Sequence, residues 1–110
     1  MLPYTIDEIK SRILPVAQKY GLGAVYLFGS YARGEAESGS DIDLLVDTSE
    51  SGIDTLFKLG GLYSDLEAAL EAPIDLVTLD SMTGPTDRRS QLHFRETVER
   101  ERMMIYASAG

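Results

Sequence analysis

The sequence predicts an α/β domain built on a small mixed β-sheet flanked by helices. Two observations predict it. Short apolar runs rich in β-branched and aromatic residues, at 24–28, 42–46, 74–79 and 103–107, alternate with longer segments whose apolar residues recur at helical spacing. The chain of 110 residues, 44% of them hydrophobic and 25% charged, supports one modest core with no room for a second of comparable size. A single domain over residues 1–110 is the expectation.

Each element carries its own local reason. Thr5-Ile6-Asp7-Glu8 has a hydroxyl at the N-cap position and an acid three residues on, the capping-box pattern. Ile6, Ile9, Ile13 and Val16 continue at helical spacing, so a first helix runs to about Tyr20. Pro15 lies inside it and predicts a kink or an early end, with Gly21 or Gly23 closing the element. Ala24 to Phe28 reads as a buried strand, residues 30 to 34 as a brief helical turn, and Gly34 to Gly39 as a polar connection. Ile42 to Val46 is the second strand. From Ile53 to Leu70, the residues Ile53, Leu56, Phe57, Leu59, Tyr63, Leu66 and Leu70 mark a helix weakened by Gly60-Gly61 and ended by Pro73. Ile74 to Leu79 is the third strand. Pro85 suits the start of a last helix reaching about Arg100, and Met103 to Ala107 supplies a fourth strand. No internal repeat, low-complexity tract or linker interrupts this order.

Composition narrows the chemistry. The chain contains no cysteine and one histidine, so carboxylates are its main metal-ligand chemistry, without disulfides or thiolates. No apolar run is long enough to span a membrane, and MLPYTIDEIKSR carries no readable targeting signal, so the cytoplasm is expected. A net charge of -8 weighs against extended contact with nucleic acid. Arg88, Arg89, Arg95, Arg100 and Arg102 gather near the end of the chain, but Asp87, Glu96, Glu99 and Glu101 interleave them, as on a solvated, salt-bridged helix face. Arg88 and His93 match an R-x4-H ribonuclease spacing. Residues five apart lie about 140° around a helix, so the match is read as chance.

The informative stretch is LFGSYARGEAESGSDIDLLVD, residues 27–47. Residues two apart on a strand share a face, so Asp41 and Asp43 are expected side by side. Two ionised carboxylates at about 5 Å and an effective dielectric near 20 repel by about 3 kcal/mol, which a divalent cation removes. Mg²⁺ is the hard cation that such oxygen ligands suit. A bare D-x-D is common in acidic proteins, where Asp41 would be a turn residue and Asp43 an exposed edge acid. Gly29-Ser30 changes that reading: it follows a buried strand, its backbone donors can face a phosphate, and Gly29 lets backbone approach a ligand closely.

Gly29-Ser30, ten residues, then Asp41-Ile42-Asp43, with Tyr31-Ala32-Arg33-Gly34 between, resembles the signature of the minimal nucleotidyltransferases of the DNA-polymerase-β-like superfamily. The resemblance extends from the first helix through Asp75 to Met103-Ile105-Tyr106. It implies a polymerase-β-like nucleotidyltransferase fold, a triphosphate held at Gly29-Ser30, and two Mg²⁺ ions bound by Asp41, Asp43 and one further strand carboxylate. Asp75, an acid within Ile74-Asp75-Leu76-Val77, is the best match for that third acid. Asp80 is the runner-up, and Asp47 reads as a strand-end acid. Ala72-Pro73 stand where such helices often close on glycine. Arg33 is placed to neutralise phosphate charge or, alternatively, to pair with Glu35 or Glu37. Tyr31 is read as an exposed tyrosine, with base stacking as the alternative.

The implied reaction is in-line displacement at the α-phosphorus of ATP, with pyrophosphate leaving. The resemblance also implies a partner, because such chains are commonly encoded beside a HEPN-domain toxin that they silence by attaching AMP to a tyrosine. An acidic chain is compatible with a basic, RNA-cleaving partner. Met103, Met104, Ile105 and Tyr106 are read first as core and second as interface, and a homo- or hetero-oligomer is compatible with that. Two alternatives stand beside this one: an antitoxin that neutralises by binding alone, and a transferase acting on a small hydroxyl compound or an RNA end.

Overall fold

A computed structural model describes residues 4–108. Residues 1–3 of the amino-terminal segment read above for a targeting signal lie outside them.

The first helix, α1 (Ile6–Tyr20), forms where its capping box predicts. Thr5 Oγ1 accepts from the Glu8 N–H at 3.0 Å, and Glu8 Oε1 accepts from the Thr5 N–H at 3.1 Å. The helix runs through Pro15 without ending. Pro15 and Ser11, whose carbonyl loses its donor, are both exposed, so water can satisfy the orphaned oxygen. Gly21, in the left-handed region at φ 65°, closes the helix, and the Leu22 N–H reaches back to the Ala17 carbonyl at 3.0 Å.

Strand β1 (Ala24–Phe28) passes directly into the short helix α2 (Gly29–Arg33), one residue earlier than expected. Strand β2 (Ile42–Asp47) follows after a loop. Helix α3 (Leu56–Leu70) starts at a Thr55 cap, three residues later than predicted, and Leu56 and Phe57 are 86% and 91% exposed rather than core. Gly61 in α3 packs against Tyr20, whose hydroxyl would stand 3.3 Å from a Cβ there, so this glycine permits close approach to α1. The glycine missing before β3 is replaced by Glu71, which takes the left-handed position at φ 51° and pairs with Arg12 at 3.0 Å.

Strand β3 (Ile74–Thr78) is followed by an unpredicted 3-10 turn, Leu79–Met82, which takes Leu79 out of the strand. Helix α4 (Arg89–Glu101) starts four residues beyond Pro85. Part of the reason is Arg95, whose guanidinium donates to the carbonyls of Ser81, Thr83 and Gly84 and holds that stretch as a turn. Strand β4 (Met103–Ala107) closes the order, but only Ile105 of its apolar residues is buried; Met103 and Met104 are exposed.

The four strands form one mixed sheet in the order β3-β2-β1-β4, with β2 and β3 parallel and the other pairs antiparallel. Period-two alternation gives the sheet two faces. Val25, Leu27, Ile42, Leu44, Val46 and Ile74 face α1 and α3, where they meet Ile9, Ile13, Leu62, Leu66 and Leu70 in the main core. Tyr31, read from sequence as exposed, is buried in that core as α2 packs its outer end. Phe28 and Leu45 face α4 and form a smaller cluster with Val98. The fold is therefore the α/β arrangement expected from the alternation of elements. No helix among the described residues is long and apolar enough to cross a membrane.

Candidate active site

The acids lie on the α4 face of the sheet. Because Ile42 and Leu44 point into the main core, Asp43 points to the opposite face with Leu45. In the same way, Asp75 shares a face with Val77. The register then sets Asp43 between Phe28 of β1 and Asp75 of β3, and adjacent strands lie about 4.8 Å apart. The two carboxylates are thus cross-strand neighbours, which the sequence order alone does not reveal. Asp75 is exposed, so its place in an apolar strand carries no desolvation cost of the kind expected. Asp41 stands one residue before β2 and is exposed; its charge still bears on Asp43.

Gly29 explains itself sterically. Its φ is 73°, and a Cβ at this position would overlap Asp43 Oδ2 and stand 2.9 Å from Asp43 Cγ. Only glycine lets the backbone leave β1 against that carboxylate. Gly29, Ser30, Arg33, Asp43, Asp75 and Glu101 line one cleft of about 320 Å³, with Phe94 of α4 above it, edge-on to Phe28 at 6.1 Å between ring centroids. A larger apolar groove of about 460 Å³ runs between β3 and α4, and a depression of about 470 Å³ holds Asp47 and Asp80. Neither combines carboxylates with the Gly-Ser turn. Asp47 is accounted for locally: it accepts from the Ser49 N–H and hydroxyl, which hold its carboxyl below the usual range.

The electrostatics of the cleft centre on Asp43. Burial, the neighbouring Asp75 and then Asp41 push its carboxyl up from 3.8 to about 6, and Arg33 opposes them. All candidate ligands are carboxylates, a donor set suited to a hard divalent cation. A cation would relieve the charge that burial and two acidic neighbours disfavour on Asp43. Among the described residues, no three side chains converge into a ready metal-binding group.

Arg33 is paired rather than free. It contacts Glu35, as one sequence reading anticipated, with Nε 3.3 Å from Oε1. It also donates from Nη1 to both oxygens of Glu101, at 3.0 and 3.1 Å. The sequence reading treated Glu101 as part of a solvated face and missed its place in the cleft. The available signal was helical phase: Phe94, Val98 and Glu101 fall on one stripe of α4, an acid continuing an inward-facing line. Arg88 and His93 are both exposed at the other end of α4.

This fold, with a Gly-Ser turn facing strand carboxylates across one cleft, defines the nucleotidyltransferase class. Residues 9–102 match the nucleotidyltransferase domain family, and the chain belongs to it. The protein adenylyltransferase MntA of Thermococcus cleftensis is 38% identical over 86 residues, spanning 74% of this chain and 85% of that protein. A solved structure of a candidate minimal nucleotidyltransferase, 31% identical, covers 92% of this chain and 96% of that one with a TM-score of 0.66. The fold also recurs, at 21% identity and a TM-score of 0.62 over 94% of this chain and 74% of the matched one, in a complex of a tri-AMPylated Shewanella oneidensis HEPN toxin with its MNT antitoxin.

Proposed function

We propose that this protein is a divalent-cation-dependent protein adenylyltransferase that transfers AMP from ATP to a hydroxyl, a tyrosine side chain, of a partner HEPN toxin and thereby acts as its antitoxin. The observation that carries this reading is the cross-strand pair Asp43 and Asp75 facing Gly29-Ser30 in one cleft. Its partner and nucleotide follow from kinship with protein adenylyltransferases and from the HEPN complex that shares the fold.

In this reading the Gly29-Ser30 turn takes the triphosphate, since its backbone lies against the carboxylates without a side chain between. Arg33 supplies the positive charge on that wall of the cleft. Asp41, Asp43 and Asp75 would hold two ions of the Mg²⁺ type, which would lower the barrier to attack and stabilise the departing pyrophosphate. Asp75, exposed beside Asp43 on the next strand, is assigned to orient the acceptor hydroxyl. The acceptor oxygen bonds to the α-phosphorus as the bond from that phosphorus to the α,β-bridging oxygen breaks; the hydroxyl proton passes to solvent, and pyrophosphate leaves with the bridging oxygen.

The test is intact mass of a candidate partner HEPN protein after incubation with this protein, ATP and Mg²⁺. Increments of one AMP, absent with an Asp41→Asn, Asp43→Asn double variant, are expected. A stable complex without modification would replace this reading with neutralisation by binding, and neither result would point to a small-molecule or RNA acceptor.

A further inference from the structure

The contact between Arg33 and Glu101 joins two elements that the chain separates widely, the end of α2 and the end of α4. It does not resemble an ordinary surface ion pair. The Glu101 side chain is only 15% exposed, whereas its partner is 42% exposed. Its carboxylate is carried into a cleft that already holds Asp43 and Asp75, and its charge adds to those acting on Asp43. A helix that needed only an anchor would gain more from an apolar residue there, as Val98 provides one turn earlier. The arrangement therefore serves Arg33.

We propose that Glu101 is a positioning residue: it holds the Arg33 guanidinium on the wall of the cleft that carries Gly29 and Ser30, instead of leaving it free to pair with Asp43 and Asp75. Two physical effects make this useful. A free arginine would be drawn onto the uncompensated carboxylates, where it would compete with a cation for them. A long side chain also loses rotamer freedom when it binds a ligand, and Glu101 imposes that loss beforehand. Glu35 contributes from the other side of the guanidinium, but it is 64% exposed and touches only Nε at 3.3 Å. Glu101 thus carries the larger share. This inference rests on the nucleotide-binding reading above.

Binding of AMP-PNP in the presence of Mg²⁺, measured by calorimetry, tests it with four variants: Glu101→Ala, Glu101→Gln, Arg33→Ala and the Arg33→Ala, Glu101→Ala double. Loss of the acceptor in Glu101→Ala should weaken binding about tenfold, as expected for a charge-assisted contact. Glu101→Gln, which keeps one acceptor oxygen at the same reach, should recover most of that loss. The double variant should bind no more weakly than Arg33→Ala alone, because Glu101 acts only through the arginine. In turnover with ATP, the Glu101→Ala effect should appear in KM and leave kcat within about twofold. Unchanged binding with a lowered Tm would make Glu101 a structural anchor only. Tighter binding would make it a competitor of the phosphates. Additive losses in the double variant would mean that it acts without Arg33. Each of these three overturns the inference while leaving the nucleotide site intact; a wild-type protein that binds no AMP-PNP overturns the site reading as well.

Discussion

Asp43→Asn should make this protein more stable and inactive at the same time. The carboxyl is held at about 6 against an ordinary 3.8, so its charge is disfavoured in the folded state. At about 1.36 kcal/mol per unit, the shift corresponds to an upper bound of about 3 kcal/mol at neutral pH. Solvent screening of a partly exposed group reduces that to about 1 to 2 kcal/mol. Because the folded form binds the extra proton, this contribution is absent below about pH 4. It grows as pH rises and is complete above about pH 6. Asparagine keeps the size and removes the charge. Without divalent cations, the variant should therefore melt about 4 to 10 °C above the wild type at pH 7.5. The difference should vanish near pH 3.5, where both side chains are neutral. Thermal melts of both proteins across this pH range, with chelator present, check the prediction. A variant equal to or less stable than the wild type at pH 7.5, or a difference that does not depend on pH, would refute the electrostatic account of the site.

Three further outcomes follow from the geometry. Gly29→Ala places a methyl group on the Asp43 carboxylate at a left-handed backbone position, so it should cost at least about 2 kcal/mol in urea denaturation and abolish AMP-PNP binding. Pro15→Ala restores the donor for the exposed Ser11 carbonyl; even after the entropy that proline removes from the unfolded chain, it should stabilise the fold by about 1 to 2 kcal/mol by the same measurement. Phe57→Ser should change stability by less than about 0.5 kcal/mol, because the ring is 91% exposed and contributes nothing to the core.

The parts of the fold legible in the sequence are those fixed by short-range physics. The Thr5–Glu8 capping box and the alternation of Ile42, Asp43, Leu44 and Leu45 act within a few residues, and their consequences appear as read. Misreadings occur where a local preference met a tertiary alternative. Pro15 does not end α1 because the solvent face absorbs the lost hydrogen bond. Pro85 does not start α4 because Arg95, eleven positions from Gly84, clamps the intervening backbone into a turn. Leu56 and Phe57 continue an apolar period beyond the part of α3 that touches α1, so pattern alone assigns them to a core that does not reach them. In the site, Gly29 and Asp43 were legible as a spaced motif. Their collision-limited contact, the register that pairs Asp43 with Asp75, and the reach of Glu101 across 68 positions are products of topology.

The two faces of the sheet divide the work of the domain. The face against α1 and α3 holds most of the buried large aliphatic side chains, and it keeps β2 and β3 in register. That rigidity is what allows the opposite face to carry Asp43 beside Asp75 despite their repulsion, since neither strand can slide without disrupting the core beneath it. On the α4 face the buried cluster is small, Phe28, Leu45 and Val98, and α4 begins without a side-chain cap at Arg88. A domain that spent this face on packing would be more stable, but it would have no cleft. The same economy places α2 between the faces: Tyr31 anchors it in the main core, while Gly29, Ser30 and Arg33 on its other side line the cleft. A substitution at Tyr31 would therefore reach the Gly29-Ser30 turn through α2 itself, without altering any residue that lines the cleft.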